Sequence, residues 1–420
     1  MAEHDTPRAE APPSLKDAGW LKRPETVRVF AALSGDDIET RAVGGAVRDA
    51  LLGRSVTDID FATTAVPEDV MARARKAGLK AIPTGIAHGT VTVVAGGVSF
   101  EVTTLRRDIE TFGRHAKVAF TTDWSEDAQR RDFTLNALYA GADGRLYDPL
   151  GGYEDLLAGR VRFIGDAAAR IREDYLRILR FFRFNAYYGK EPLDAAGLSA
   201  CVNERNGLAQ LSAERIAAEL KRLLVAPRAF EGVEALFDFG LLSDILGSAP
   251  RLDRLARLIG IEAARGREPN AILRLAALSV FVAEDAPRLA ARFKLSNADQ
   301  ALLALGADET LDAALPGEDA AKRLLYKIGA ERFPPKVLLA WAASGAPAEA
   351  DGWLRALALP DRWQAPAFPL RGPDITALGD FKGPEIGAML HLLEQHWIEG
   401  GFADDRERLL ARAKELAAQT

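Results

Sequence analysis

Residues 42–65, AVGGAVRDALLGRSVTDIDFATTA, gather side chains suited to phosphate and metal chemistry. The order reads as strand, Gly-Gly turn, helix, loop, strand. Gly44 and Gly45 let the backbone approach a bulky anion with no side chain between, and the helix that follows turns free N–H groups and its positive end toward a phosphate. Arg48, in the first turn or so of that helix, adds a charge-assisted contact. About a dozen residues beyond Gly45, Asp58-Ile59-Asp60 has the period of a strand, so both carboxylates face one side. Two parallel carboxylates suit Mg²⁺, which binds through one or two carboxylates plus substrate phosphate oxygens. Alone, a Gly pair is an ordinary turn and Asp-x-Asp a solvated strand face; the combination at this spacing carries the information.

The elements that must hold these groups change character along the chain. Between about 40 and 120, short strand-like runs (Arg41–Val43, Thr57–Ala62, Gly89–Val94, Val98–Thr104, Lys117–Thr121) alternate with helical ones and Gly or Pro punctuation. After about 150 the pattern becomes Leu/Ala-rich helical periodicity with Arg on the opposite faces, as in Tyr175–Tyr188 and Leu211–Leu224. The fold class expected is therefore an α/β (α+β) head followed by an all-α C-terminal part. At 420 residues the chain exceeds a single typical domain, and the boundaries expected are a disordered tail over 1–18, a head over 19–150, a helical neck over 151–225, a helical body over 226–345 and a helical tail over 346–420.

The net charge of −6, from 54 Lys and Arg against 60 Asp and Glu, excludes a broadly basic nucleic-acid coat but not a local basic groove. Residues 160–190 supply one: eight basic side chains against Asp166, Glu173 and Asp174. Cys201 is the only cysteine, which excludes an intrachain disulfide framework and a disulfide-linked partner is not expected; a reducing, cytoplasmic setting fits. No apolar run of ~18 residues suggests a membrane span, and the polar, Pro-rich start does not read as a signal peptide.

The Gly-Gly turn followed by Asp58 and Asp60 resembles the signature of the polymerase-β-like nucleotidyltransferase superfamily. Further on, Arg130-Arg131-Asp132-Phe133-Thr134 with Asn136-Ala137, then Asp148-Pro149 with Gly151-Gly152, then Glu173-Asp174 with Arg177 and Arg180, and LSAERIAAELKRLL over 211–224, occur in the order that resembles the class II tRNA nucleotidyltransferase and poly(A) polymerase family. The segment 126–139 reads as one helix and 172–184 as another. The resemblance implies that Gly44, Gly45 and Arg48 hold a triphosphate and that Asp58 and Asp60 ligate two Mg²⁺ ions. One ion would activate the attacking hydroxyl and the other stabilise the pyrophosphate, with no histidine base required. Glu101 would complete the site as a third carboxylate if its strand pairs beside the Asp strand. Arg131 would reach the nucleotide, Asp132 would read the ribose, and Asp174, Arg177, Arg180 and Arg183 would supply base-reading and phosphate-side contacts.

The chemistry of Asp174 and Arg177 also follows from the residues. Three apart on a helix, they share a face. Cytosine and adenine each present an amine donor beside a ring-nitrogen acceptor, which a carboxylate and a guanidinium match. Uracil and guanine reverse that order, and an unsatisfied buried group costs ~1–3 kcal/mol, enough for tenfold rejection or more.

Within the family, IPTGIAHGTVTVV (82–94) looks like the CCA-adding version, and a Gly-Arg-Arg-rich variant typical of bacterial poly(A) polymerases is missing. TTLRRDIETFGRHAKVAF (103–120) resembles the flexible loop used in switching from C to A, with Ala116 where Pro often stands. The expected reaction is template-free transfer of CMP and AMP from CTP and ATP to the tRNA 3′ end; poly(A) synthesis and CC-only or A-only addition are the alternatives within the family. A nucleotidyltransferase acting on a small molecule and a non-catalytic RNA-binding relative are alternatives outside it, disfavoured by the long helical part and the intact Asp pair. Only His4 precedes an Asp, so an added phosphohydrolase activity is not expected. Gly383-Pro384 opening a helix in 368–402 offers N–H groups to an RNA phosphate, or simply a packed helix pair.

Overall fold

The computed structural model describes residues 13–35, 37–112, 115–190, 192–307 and 315–418, and the chain divides into two compact units, Met1–Leu241 and Leu242–Thr420. The first unit begins with α1 (Pro24–Leu33), whose Thr26, Val29, Phe30 and Leu33 are buried at helical spacing. There follow β1 (Thr40–Val43), α2 (Gly45–Leu51), β2 (Asp60–Thr63), α3 (Pro67–Lys76), β3 (Lys80–Gly85), β4 (Thr90–Ala95) and β5 (Val98–Thr104). After β6 (Arg106–Phe112), β7 (His115–Phe120), α4 (Trp124–Gln129), β8 (Tyr139–Ala140) and β9 (Leu146–Tyr147), the unit becomes helical. Seven strands form one sheet in the order β3-β4-β5-β2-β1-β8-β9. Strand β4 shows the cause in miniature: Val91, Val93 and Ala95 are buried while Thr90, Thr92 and Val94, which alternate with them, are only partly so. The β2–β5 pair is parallel, in a register that sets Asp60 opposite Glu101.

Among the described residues, strands β6 and β7 pair only with each other. The described residues of the segment expected as a flexible loop thus form two paired antiparallel strands, with a register shift between Asp108 and Glu110, and residues 113–114 of that call lie outside the described residues. Residues 13–18, expected as part of a disordered tail, pack on the fold instead: Ser14 bridges to Arg145, the Leu15 amide donates to the Gly144 carbonyl at 2.7 Å and Leu15 is buried. Residues 1–12 of that call lie outside the described residues.

Two expected helices are broken. Residues 126–139 are helical only through Gln129; a short 3₁₀ turn at Thr134–Asn136 and then β8 follow. The break falls where Asp132 turns its carboxylate onto the Phe133 amide (2.9 Å) and the Asn136 side chain (2.9 Å), a local alternative to the helical ladder. Residues 172–184 split into α6 (Ala167–Glu173) and α7 (Leu176–Tyr188), preceded by α5 (Gly152–Ala158). Asp174 between them is extended (φ −156°, ψ 103°) and accepts from the Leu176 amide at 3.2 Å.

Helix α7 is fixed by an aromatic block. Phe133 meets Phe163 at 4.8 Å and Phe184 at 5.2 Å, and Phe163 stacks on Phe181 at 5.6 Å, each pair contributing ~0.5–1.5 kcal/mol beyond area burial. With that face buried, Arg177, Arg180 and Arg183, spaced three apart, share another. Helices α8 (Ala195–Asn203), α9 (Ala213–Leu224) and α10 (Ala229–Asp238) complete the unit. A Cβ on Gly152 would lie 2.1 Å from the Thr134 carbonyl oxygen. Gly152→Ala should therefore cost ~1–3 kcal/mol of stability, read as a fall in melting temperature; an unchanged value would contradict this close docking of α5.

Among its described residues the second unit is helical throughout, from Leu242–Leu246 to Arg406–Ala417. Phe333 and Trp341 are fully buried in it. A smaller cluster at the C-terminal end packs Leu370, Ile375, Met389, Leu393 and Leu409 around Trp397. Gly383-Pro384 does open a helix, Gly383–Glu399, but Glu385 caps that end by accepting from the Lys382 amide at 2.7 Å, so an arriving phosphate meets a carboxylate there. Among the described residues no helix is long and apolar enough to cross a membrane.

Candidate active site

A cavity of about 620 Å³ opens in the first unit between the sheet and α7. Gly44, Gly45, Arg48, Asp60, Glu101, Arg131, Asp132, Asp174, Arg177, Arg180 and Arg183 all line it. Of the site residues expected from the sequence, Asp58 alone is missing from its wall. Gly44 joins β1 to α2 with φ 69° and ψ −116°, a conformation that disfavours any side chain, and its amide donates to the Leu138 carbonyl at 3.0 Å.

Parallel pairing of β2 and β5 brings Asp60 and Glu101 side by side in this cavity. Crowding by the surrounding protein, then the Glu101 charge, then that of Asp58, push the Asp60 carboxyl up to about 6, although Arg131 pulls the other way. Mutual repulsion of this kind marks a set of hard oxygen donors suited to a divalent cation. Strand geometry starts only at Asp60, so Asp58 does not share its pleat as the period-two spacing suggested; it is exposed and accepts from the Thr57 hydroxyl at 3.4 Å. Among the described residues no three potential metal-ligating side chains form a cluster.

The arginines are held by carboxylates that come from far along the chain. Asp127, fully buried, accepts from Arg130 Nε at 2.7 Å, Arg131 Nη2 at 3.0 Å and the Tyr139 hydroxyl at 2.8 Å. Burial alone would raise its pKa, but Arg131 and Arg130 hold it down at about 2. Asp132 receives Arg180 in a fork, Nε at 2.7 Å and Nη2 at 2.5 Å. That pair overcomes the burial penalty and keeps Asp132 well below the usual carboxylate range. Phe133 and Asn136 donate to its other oxygen, so Asp132, itself on the cavity wall, ties α7 to the turn after α4. Buried Glu219 binds Arg183 at 2.5 Å and lies 3.8 Å from Arg180. Asp155 pairs with Arg160 and Arg162 at 3.3 and 2.8 Å. The basic excess counted over 160–190 is therefore largely offset by acids outside that window.

Asp174 and Arg177 both face the cavity but do not pair as helix neighbours. Asp174 accepts from Arg215 Nη2 at 2.7 Å, while Arg177 binds Glu173 and the Arg170 carbonyl, both through Nη1. Asp174 keeps acceptor capacity and Arg177 keeps its Nε and Nη2 donors.

Sequence reasoning missed Asn136, Arg215, Arg106, Arg130, Thr90 and Thr103, all of which line the cavity. Asn136 and Arg215 lie inside motifs already singled out; only their contacts give them roles. Asn136 accepts from Arg48 and donates to Asp132, joining the Gly-turn side of the cavity to α7.

The chain is similar to known proteins over most of its length. Residues 40–162 match the poly A polymerase head domain, and 194–254 the family described as the probable RNA and SrmB-binding site of polymerase A. Human mitochondrial CCA tRNA nucleotidyltransferase 1 is 36% identical over 386 residues, covering 90% of this chain and 87% of that protein. The CCA-adding enzyme of Geobacillus stearothermophilus is 34% identical over 401 residues, covering 92% and 95%. The crystal structure of the Bacillus stearothermophilus CCA-adding enzyme in complex with CTP superposes with a TM-score of 0.72 at 29% identity, over 94% of this chain and 97% of that one. A Thermotoga maritima CCA-adding enzyme complexed with tRNA shares the fold, with a TM-score of 0.68 at 19% identity over 96% and 98%.

Proposed function

The chain belongs to the CCA-adding tRNA nucleotidyltransferase family, and from that premise we propose that it adds CCA to the 3′ end of tRNA without a template, using CTP and ATP and releasing pyrophosphate. The observation that carries this reading is the convergence, in one cavity, of the Asp60–Glu101 carboxylates, the Gly44–Gly45 turn and the Asp174/Arg177 donor–acceptor set.

The family uses a divalent metal, and Mg²⁺ fits the donors here: carboxylate oxygens brought together by strand pairing and repelling one another. Asp60 and Glu101, with Asp58 at the strand entrance, are the residues proposed to hold it. Bound there, the ion supplies Lewis-acid polarisation and activation of the attacking 3′ hydroxyl. The Gly44–Gly45 backbone, Arg48 and Arg131 receive the triphosphate and orient its α-phosphate for in-line attack. Asp174 accepts from the base amine and Arg177 donates to the ring nitrogen. Arg180, held by Asp132, and Arg183, held by Glu219, face the nucleotide from the rest of α7. The head, neck, body and tail boundaries drawn from the sequence are kept as a proposal, with tRNA contacts assigned to the tail. Cys201, buried and free, is consistent with a cytoplasmic site of action.

The test is direct: tRNA lacking its 3′ end is incubated with CTP, ATP or both in the presence of Mg²⁺, and the products are sized. Two residues from CTP alone and a third only when ATP is present are expected. A product that stops at C with both nucleotides, or a long A tail, would overturn the proposal. In the same assay Arg177→Ala should lose selection of C and A over U and G by about tenfold or more, with metal binding retained; unchanged nucleotide choice would remove Arg177 from base reading.

A further inference from the structure

Tyr188, the last residue of α7, does not line the cavity, yet its hydroxyl sits between two residues of α2. It accepts from Arg48 Nη2 at 2.8 Å and donates to Asp49 Oδ1 at 2.9 Å, and the same Asp49 oxygen receives Arg48 Nε at 3.2 Å. Arg48 Nη1 donates to Asn136, and the guanidinium carbon lies 4.2 Å from the centre of the Tyr188 ring. The guanidinium is thus gripped on three edges by α2 itself, by the turn after α4 and by α7. Three of its five N–H donors are committed and two remain on a side chain that lines the cavity beside Gly45.

We propose that Tyr188 is a positioning residue whose hydroxyl orients Arg48 toward the nucleotide triphosphate. This rests on the reading of Arg48 as a phosphate contact. A single rigid helix then serves both ends of the nucleotide: the first turns of α7 carry Arg177 and Arg180, and its last residue sets the cation on the phosphate side. The triphosphate is common to CTP and ATP, so the contribution of Tyr188 is independent of the base. Phenylalanine at this position keeps the ring and its contact with Arg48 and removes only the hydroxyl.

The experiment compares Tyr188→Phe, Arg48→Ala and the double variant in single-nucleotide addition of C and of A. It also measures the rise in melting temperature caused by inorganic pyrophosphate, which reads the same contact without turnover. Tyr188→Phe is expected to raise KM for CTP and ATP by the same factor, about fivefold to tenfold, with kcat nearly unchanged and the pyrophosphate-induced shift reduced. In the Arg48→Ala background it should add nothing, because the group it positions is gone. A Tyr188→Phe effect that multiplies the Arg48→Ala effect, or that lowers kcat with both KM values and the pyrophosphate shift unchanged, would overturn the proposal. Arg48→Ala leaving both KM values unchanged would overturn the phosphate reading itself, and with it the role of Tyr188.

Discussion

Asp60→Asn should reduce nucleotide transfer by about three orders of magnitude or more while raising the melting temperature of the metal-free protein. The two effects share one cause. Parallel pairing of β2 with β5 places Asp60 against Glu101, and crowding together with that neighbouring charge lifts its carboxyl to about 6. A folded-state pKa above the ordinary ~3.9 means that the fold favours the protonated acid. Stability from this group is then complete at low pH and is lost as pH rises through about 6, and the amide, which never ionises, escapes that loss. Transfer has the opposite requirement, since a divalent cation needs the carboxylate. Activity should accordingly fall as pH drops below about 6, and saturating Mg²⁺, by competing with protons, should move that fall to lower pH. Rate measurements across pH at two Mg²⁺ concentrations, with melting curves in chelator, check the prediction. An Asp60→Asn variant retaining a tenth of the wild-type rate would remove Asp60 from the reaction.

Asp127→Ala should cost about 3 kcal/mol of stability, toward the lower end for breaking a buried ion pair because Arg130 and Arg131 keep some solvent access. The fully buried carboxylate serves Arg130, Arg131 and the Tyr139 hydroxyl together, and its loss leaves all three without their common partner. The pH dependence runs opposite to that of Asp60. With a folded pKa near 2, below the unfolded ~3.9, Asp127 contributes fully above about pH 4 and its contribution disappears as pH falls through about 2. Denaturant unfolding at neutral and acid pH should show the difference between wild type and variant shrinking with acid; a constant difference would mean that the deficit is packing alone. Arg131 loses the carboxylate that aims it into the cavity and keeps only the Tyr139 hydroxyl, 3.2 Å from its Nε, so the KM for both nucleotides should rise in the variant as well.

Much of the site was legible because its parts are local. The Gly44–Gly45 turn needs only the absence of side chains, and Arg177, Arg180 and Arg183 share a face of α7 because of helical spacing. The helix breaks at Asp132 and Asp174 were not legible: both carboxylates take a nearby backbone amide, and the periodicity of the flanking apolar residues runs straight through them. Asp58 misled for a related reason, since alternation cannot say at which residue a strand begins.

The sequence by itself determined which chemical groups the site contains and, through periodicity, which of them share a turn, strand or helix. Tertiary structure alone decided the partners: Asp60 beside Glu101, Asp132 with Arg180, Glu219 with Arg183, Asp174 with Arg215 and Tyr188 with Arg48. The physical reason is that local geometry follows from each residue's own backbone preferences and nearest neighbours. A pairing across 36 to 140 positions instead depends on how the phenylalanine block seats α7 and how β5 seats beside β2.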